Sequence, residues 1–287
     1  MINSNEYKFK FSILVPTRKR PENIRALVNS AQLTSRNFES LEFLFYLDFD
    51  DNTFPSELLE IPNLRIVRGP RIWLPLMLNV LYVHSAGEIL MVGADDIRFV
   101  SKNWDERVSE VFSNSQDKIL LAYGDDLGTY GSKLAIHGFV HRKWIEVIGS
   151  LAPSGRSAPT DLWLTEVAKK IDRLAYIQDV KIQHMHYRQG AKLAHFDDTY
   201  KQAYNDSSAY RPLLTYKNLE RERRIDTLLL AKKIGKKSKK DSRYLFSEAI
   251  LWLSQITKIS DSQKFYISTL DNYSIVKLLI RKFLRIK

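Results

Sequence analysis

The sequence predicts an α/β protein with a mostly parallel sheet flanked by helices, followed by a basic, α-helical C-terminal extension. Short apolar runs rich in β-branched and aromatic residues alternate with helix-like stretches, and two acidic pairs come directly after such runs. Residues 1–227 contain 30 basic and 29 acidic side chains, whereas residues 228–287 contain 14 basic and 4 acidic ones. We therefore expect one domain over residues 1–217 and a cationic extension over residues 218–287.

The composition excludes several classes of protein. A hydrophobic content of 44% and a charged content of 27% are typical of a folded domain, and the absence of cysteine excludes disulfides, thiolate metal ligands and cysteine nucleophiles. The opening MINSNEYKFKF has no apolar secretion signal, and no run of 18 uncharged apolar residues follows it. We expect a cytoplasmic protein, with peripheral attachment to the inner face of a membrane as the alternative.

The apolar runs set the expected order of strands and helices. They predict strands at residues 9–15, 41–47, 64–67, 88–92, 119–123, 134–141 and 180–187. Helices are expected at residues 21–33, 72–84, 143–148 and 160–171, and in the extension at 244–256 and 274–286. Pro21 and Pro75 fall in first helical turns, which tolerate proline, and Thr160 or Asp161 is expected to cap its helix.

The two acidic pairs are the strongest chemical signal in these residues. Asp95-Asp96 and Asp125-Asp126 each follow a predicted strand, and open α/β sheets bind ligands at the carboxyl ends of their strands. Carboxylates suit Mg²⁺ or Mn²⁺, which would neutralise a diphosphate. The chain lacks GxxxxGK[ST] and GxGxxG, which argues against P-loop kinases and dinucleotide-binding oxidoreductases. The alternative is that these aspartates only close turns.

Several segments, taken in order, resemble a family 2 glycosyltransferase with the GT-A fold, a Rossmann-like nucleotide-binding architecture. They are FSILVPTRKRP (11–21), the strand that ends at Asp48, the helix with Asn79 ahead of AGEI (86–89), and GADD (93–96). Three further segments resemble a bacterial and phage branch of this family: HGFVHRKW (137–144), DLWL (161–164) and HMH (184–186). The resemblance covers roughly residues 9–200 and leaves the extension unexplained.

This resemblance implies a nucleotide-sugar donor, with a UDP-sugar as the first expectation. It implies a nucleotide pocket formed by residues near the ends of the first strands: Pro16, Thr17, Arg20, Asp48, Arg68, Arg71 and Asp95. In this pocket Asp48 would accept hydrogen bonds from the base. Arg68 and Arg71 would neutralise phosphate, for which guanidinium offers a bidentate fork.

The resemblance also implies the metal ligands and the catalytic base. Asp95 would be the metal-binding second aspartate of a DxD motif, with Asp96 beside it and His186, or less readily His184, completing the Mn²⁺ or Mg²⁺ site. Asp161 would be the general base that removes the proton from an acceptor hydroxyl. A single base opposite the leaving group predicts inversion, and a retaining mechanism remains the alternative. The first DxD aspartate is replaced by Gly93.

The predicted function is therefore metal-dependent sugar transfer to a glycan, a lipid-linked glycan or a protein. One alternative acceptor is a modified base in phage DNA, with the lysine-rich stretch at 231–240 binding phosphates. An alternative of another class is a catalytically silent nucleotide-sugar-binding module, which the loss of an aspartate at Gly93 leaves open. In the tail, Lys277, Arg281 and Arg285 recur every four residues, which predicts a basic amphipathic helix. That helix would bind an anionic membrane, a neighbouring helix or a second subunit.

Overall fold

The computed structural model of this chain describes residues 7–128, 130–153, 159–185, 201 and 216–236. Within this part of the chain the strands are β1 Phe9–Pro16, β2 Leu41–Asp48, β3 Leu64–Gly69, β4 Gly87–Val92, β5 Ile97–Phe99, β6 Leu121–Asp125, β7 Phe139–His141 and β8 Leu174–His184. The helices are α1 Pro21–Thr34, α2 Leu74–His84, α3 Trp104–Ser113, α4 Arg142–Ile148, α5 Thr160–Lys170 and α6 Glu220–Lys233.

The strands form one eight-stranded sheet in the order β3-β2-β1-β4-β7-β6-β8-β5. The β1–β2, β2–β3, β1–β4 and β6–β8 pairs are parallel, whereas β7 runs antiparallel to β4 and β6, and β5 runs antiparallel to β8. Because α1 and α2 connect parallel strands, the carboxyl ends of β1, β2, β3 and β4 lie along one edge of the sheet. Most of the site residues that the sequence predicts lie at this edge.

Helices cover both faces of the sheet and create two apolar cores. One core places the buried faces of α1 and α3 against the sheet, with Trp104 and Phe112 fully enclosed. The other contains side chains of α2, α4, α5 and α6, with Trp144 and Trp163 enclosed. Both faces of the sheet are therefore covered by cores that include large aromatic side chains.

Helix α6 lies within the segment predicted as the C-terminal extension. Its Leu229 and Leu230 are buried in the same core as α4 and α5. A buried hydrogen bond of 3.2 Å also runs from Trp163 Nε1 to Asp226 Oδ2. The chain from residue 220 to 233 therefore packs on the sheet-covering helices, and the division at 217/218 remains a prediction. The predicted helices at 244–256 and 274–286 lie outside the described residues.

Several local predictions differ from the structure. The strand predicted at 134–141 is limited to β7, because His137 has a left-handed backbone with φ of 54° and interrupts the extended chain. Neither Thr160 nor Asp161 caps α5, since Pro159 occupies the N-cap position and both lie in the first turn. The strand predicted to start at Val180 begins earlier, at Leu174. Among the described residues, no helix is long and apolar enough to cross a bilayer.

Candidate functional site

Asp95 lies at the centre of the candidate site, just after β4. Its side chain is 3% exposed and is held by the connection between β1 and α1. Thr17 Oγ1 donates to Asp95 Oδ2 at 2.6 Å, and Arg20 Nη1 donates to Asp95 Oδ1 at 3.2 Å. Burial raises the pKa of the Asp95 carboxyl above its usual range; the positive charge of Arg20 opposes this effect, and the negative charge of Asp96 adds to it.

Asp96 connects the end of β4 to the end of β8. Its backbone carbonyl accepts the Met185 N–H at 2.7 Å, and its Oδ1 lies 3.5 Å from His184 Nε2. The His184 ring is in edge-to-face contact with the His137 ring, with centroids 4.6 Å apart. His137 is fixed in turn by a 3.1 Å hydrogen bond between its Nδ1 and the Val92 carbonyl. Two strand ends thus bring a carboxylate and two imidazoles together.

Asp161 approaches this cluster from the first turn of α5. Its Oδ1 accepts the Leu162 N–H at 2.8 Å. Burial raises the pKa of the Asp161 carboxyl, while this hydrogen bond and the charge interaction with His184 act in the opposite direction. A carboxylate with a raised pKa holds a proton more readily at neutral pH, which suits proton transfer. His184 interacts with both Asp96 and Asp161. The sequence prediction names it only as the second choice for a metal ligand, after His186.

A second group of charged side chains lies at the end of β2, where the sequence predicts base recognition. Asp48 is 2% exposed and forms an ion pair with Arg18. Arg18 also makes a two-pronged contact with Asp50, with both N–O distances at 2.8 Å. This contact lowers the pKa of Asp50 to about 2. Burial raises the pKa of Asp48, because Arg18 offsets only part of the desolvation.

The loops after β1 and β2 are joined by further bonds. The Lys19 N–H donates to Asp51 Oδ2 at 2.7 Å, and Arg68 Nη1 donates to the Asp51 carbonyl at 2.8 Å. Arg71 is exposed and interacts electrostatically with Asp48. Pro16 ends β1 in register with Tyr46 of β2. The residues predicted for the nucleotide pocket therefore converge around the ends of β1, β2, β3 and β4.

The second acidic pair forms a turn beside this cluster, and the Asp126 carbonyl accepts the His184 N–H at 3.1 Å. Asp126 is buried and its Oδ1 accepts the Gly128 and Gly131 N–H groups at 3.2 and 3.0 Å, so it closes a turn. Asp125 likewise accepts the Leu127 N–H. His186, the preferred third metal ligand, lies outside the described residues.

Two arginines and a histidine, Arg18, Arg98 and His137, add to the set that the sequence identified. Arg18 lies within the TRKR segment, where the sequence alone does not distinguish it from Lys19 and Arg20. Arg98 donates to the Asp95 carbonyl at 3.1 Å and interacts electrostatically with both Asp95 and Asp96. His137 contacts His184 from the loop before β7. The sequence gives no local signal for the tertiary partners of these residues.

The donor set fits a divalent cation that shares its coordination with substrate. Asp95 and Asp96 supply two buried carboxylates that are neighbours in the sequence. Burial and the negative charge of Asp96 raise the pKa of Asp95. A bound cation would offset this unfavourable accumulation of negative charge. Across the described part of the chain, no three His, Asp or Glu side chains come close enough to hold an ion by themselves. Mg²⁺ is commonly bound by one or two carboxylates together with substrate phosphates and water.

An open groove of about 780 Å³ lies beside the end of β6. Its lining is Val100, Ser101, Asp125, Gln178, Asp179 and Lys181. The β6–β8 pairing shifts from Gly124–Ile177 to Asp125–Lys181, so β8 contains a bulge next to the groove. Ser101 fixes the bulge by donating to the Asp179 carbonyl at 2.6 Å and accepting the Lys181 N–H at 2.8 Å.

Comparison with known proteins finds likeness in structure only. No family model and no curated protein sequence matches the chain. S. aureus TarS 1-349 in complex with UDP-GlcNAc is 12% identical, with a TM-score of 0.54 over 97% of this chain and 83% of that one. TarS 1-349 in another crystal structure gives a TM-score of 0.51 at 12% identity, over 97% of this chain and 82% of that one.

The mannosyltransferase PcManGT from Pyrobaculum calidifontis, in complex with GDP-Man and Mn²⁺, is also 12% identical. The match covers 99% of this chain and 89% of that one, with a TM-score of 0.49. The two TarS structures, with TM-scores of 0.51 and 0.54, show that this chain shares their fold. The predicted α/β architecture with a GT-A-like sheet and flanking helices is confirmed, and membership of family 2 remains a prediction.

Proposed function

We propose that the chain is a glycosyltransferase that moves a sugar from a nucleoside-diphosphate sugar to an acceptor hydroxyl. The observation that carries this proposal is the convergence of Asp95, Asp96, Asp161 and His184 at the carboxyl edge of the sheet, next to arginines that suit phosphate. The fold shared with TarS, which was crystallised with UDP-GlcNAc, supports the same reaction class and a UDP-sugar as the first donor to test.

The residues at the ends of β1, β2 and β3 would bind the nucleotide. Asp48 has a buried Oδ1 that accepts no hydrogen bond within the described part of the chain, so it is available to an N–H of the base. Arg68 and Arg71 are exposed at the same edge and supply positive charge to the diphosphate. Thr17 and Arg20 hold Asp95 in place beneath it.

Asp95 and Asp96 would hold Mn²⁺ or Mg²⁺ against the diphosphate. Such an ion acts as a Lewis acid that stabilises the negative charge developing on the leaving nucleoside diphosphate. Asp161 would remove the proton of the acceptor hydroxyl, and its raised pKa places it closer to neutrality than an ordinary carboxyl. With one base on the acceptor side, the transfer inverts the anomeric configuration.

Donor turnover tests this proposal directly. The full chain is incubated with UDP-, GDP-, dTDP- and CDP-sugars in Mn²⁺, Mg²⁺ or EDTA, and the released nucleoside diphosphate is measured. We expect turnover with at least one donor, loss of turnover in EDTA, and a strong decrease in Asp95→Asn. Asp172→Asn is the matched control, because Asp172 is exposed and remote from the site, with Lys236 as its ion-pair partner. Absence of donor binding and turnover across the panel would contradict the proposal.

The acceptor, the oligomeric state and the cytoplasmic or membrane-peripheral location remain predictions. The groove beside β6 offers hydroxyl, carboxylate, amide and ammonium groups, which are suited to the hydroxyls of a glycan acceptor. The DNA and membrane alternatives both depend on the basic segment after residue 228, most of which lies outside the described residues. They are tested by salt-dependent binding to duplex DNA and by sedimentation with anionic liposomes, respectively.

A further inference from the structure

Both carboxylate oxygens of Asp95 are occupied by residues of this chain. Thr17 binds one oxygen and Arg20 binds the other, so a guanidinium stands where a metal-binding carboxylate would meet its ion. The Arg20 and Asp95 side chains are 14% and 3% exposed, which makes this a largely desolvated pair. Water therefore screens its charge interaction only weakly.

The backbone of Arg20 is fixed although its side chain is long. Arg20 occupies the N-cap position of α1, and its carbonyl accepts the Ile24 N–H at 3.2 Å. Pro21 begins the helix and restricts the backbone further. A change of partner for Arg20 therefore needs only side-chain rotation, because the start of α1 stays in place.

A divalent cation on Asp95 changes the electrostatic balance of this pair. Two cations that share one carboxylate oxygen repel each other, and the repulsion is large in a poorly screened site. A diphosphate brings new negative charge and the oxygen geometry that guanidinium prefers. Repulsion from the cation therefore weakens the Arg20–Asp95 ion pair, and the diphosphate offers the guanidinium a new partner within the same pocket.

We infer that Arg20 is an internal counter-ion that competes with the divalent cation for Asp95 and passes to the diphosphate when cation and nucleotide bind together. This inference rests on the proposed function and adds to it a coupling between the two ligands. Without nucleotide, Arg20 weakens cation binding. With nucleotide, the same side chain strengthens nucleotide binding, so the cation and the diphosphate favour each other's binding.

Opposite effects on the two ligands test this role. Mn²⁺ binding to the nucleotide-free full chain is measured by loss of the free-ion EPR signal, and UDP binding in saturating Mn²⁺ is measured by calorimetry. For Arg20→Met we expect about tenfold tighter Mn²⁺ binding and about tenfold weaker UDP binding, the scale of one charge-assisted hydrogen bond. Arg20→Gln, which keeps a polar side chain, should shift both constants in the same directions.

Two further variants separate competition from positioning. Thr17→Val removes the other bond to Asp95 and leaves the guanidinium in place, so Mn²⁺ binding should not become tighter. Arg25→Met removes a partly exposed arginine of α1 that pairs with Glu22 and Glu57, and both constants should stay unchanged. A Mn²⁺ dissociation constant that is equal or larger in both Arg20 variants overturns the inference. Failure of the unmodified chain to bind Mn²⁺ with or without UDP would instead overturn the metal-dependent function on which it rests.

Discussion

An aspartate at position 93, where the resemblance predicts the first residue of a DxD motif, should destabilise the protein. A Cβ at Gly93 would lie 2.8 Å from the Leu14 carbonyl oxygen and 3.2 to 3.3 Å from side-chain carbons of Ile13 and Val15. The Leu14 carbonyl already accepts the Gly93 N–H at 2.9 Å. Because β1 is paired on both sides, it cannot shift away without disturbing the ladder with β2.

The expected size of this effect follows from two opposing terms. Forcing a group into a packed interior costs about 1–3 kcal/mol, whereas replacing glycine by alanine gains about 0.4–1 kcal/mol by restricting the unfolded chain. We therefore expect Gly93→Ala to lower the free energy of unfolding by about 1–2 kcal/mol. Gly93→Asp should lose more, because it also buries a third carboxylate near Asp95 and Asp96.

Urea unfolding measures the loss as a lower midpoint with an unchanged slope. Gly138→Ala is the control, since its nearest obstacle is the terminal Leu121 Cδ1 at 2.6 Å, which can rotate, with the Ala122 carbonyl at 3.6 Å. Gly93→Ala should be the less stable of the two variants. If it is as stable as the unmodified chain, the close approach of β1 and β4 at Gly93 does not exclude a side chain there, and the reasoning fails.

Three further substitutions test other parts of the molecule. Asp161→Asn should lower kcat by about 10²–10⁴-fold without lowering stability, because burial raises the pKa of Asp161 and the neutral amide costs less to bury; steady-state transfer measures the rate. Glu88→Gln should destabilise the chain at pH 7, because the hydrogen bond from His141 leads several contacts that lower the pKa of Glu88. In a denaturation series the difference from the unmodified chain should begin to shrink as pH falls below about 4, and it should vanish only when pH falls through the strongly lowered pKa of the folded state. Asp226→Ala should cost about 1–3 kcal/mol in urea unfolding, because Trp163 Nε1 loses a buried acceptor.

Each of these three predictions has a result that would contradict it. Equal transfer rates in Asp161→Asn and the unmodified chain would contradict the assignment of Asp161 as the catalytic base, without affecting the fold assignment. A Glu88→Gln penalty that is the same at pH 7 and at pH 3 would show that the ionised carboxylate is not the source of the stability. An unchanged unfolding midpoint in Asp226→Ala would mean that α6 is held without the hydrogen bond to Trp163.

The sequence predicts the strands and helices that carry a clear periodic signal. It fails where tertiary contacts determine the secondary structure. The apolar run in β2 and the proline in the first turn of α1 give nearly correct bounds. Strand β5 has three residues and depends on pairing with β8, so no local pattern indicates it. The region from Leu134 to His141 looks extended in sequence, but the left-handed His137 restricts the strand to its last three residues.

The same distinction applies to the candidate site. Carboxylates after strand ends are visible in the sequence, and the structure brings Asp95, Asp96 and Asp161 to one region. The pairing of Arg18 with Asp48 is not predictable locally, because 30 positions separate the two residues and neighbouring basic residues compete for the role. The proximity of His184 to Asp96 depends on the way β8 returns beside β5.

The docking of α6 has a consequence for the continuity of the chain. The segment from 186 to 215 connects β8 to the residues before α6, and the side chains of Leu229, Leu230 and Asp226 hold α6 against α4 and α5 without any covalent link between them. A single proteolytic cut between 186 and 215 would therefore leave two fragments that share one apolar core. Such fragments should migrate together under native conditions and separate only in denaturant, as complementing halves of one protein.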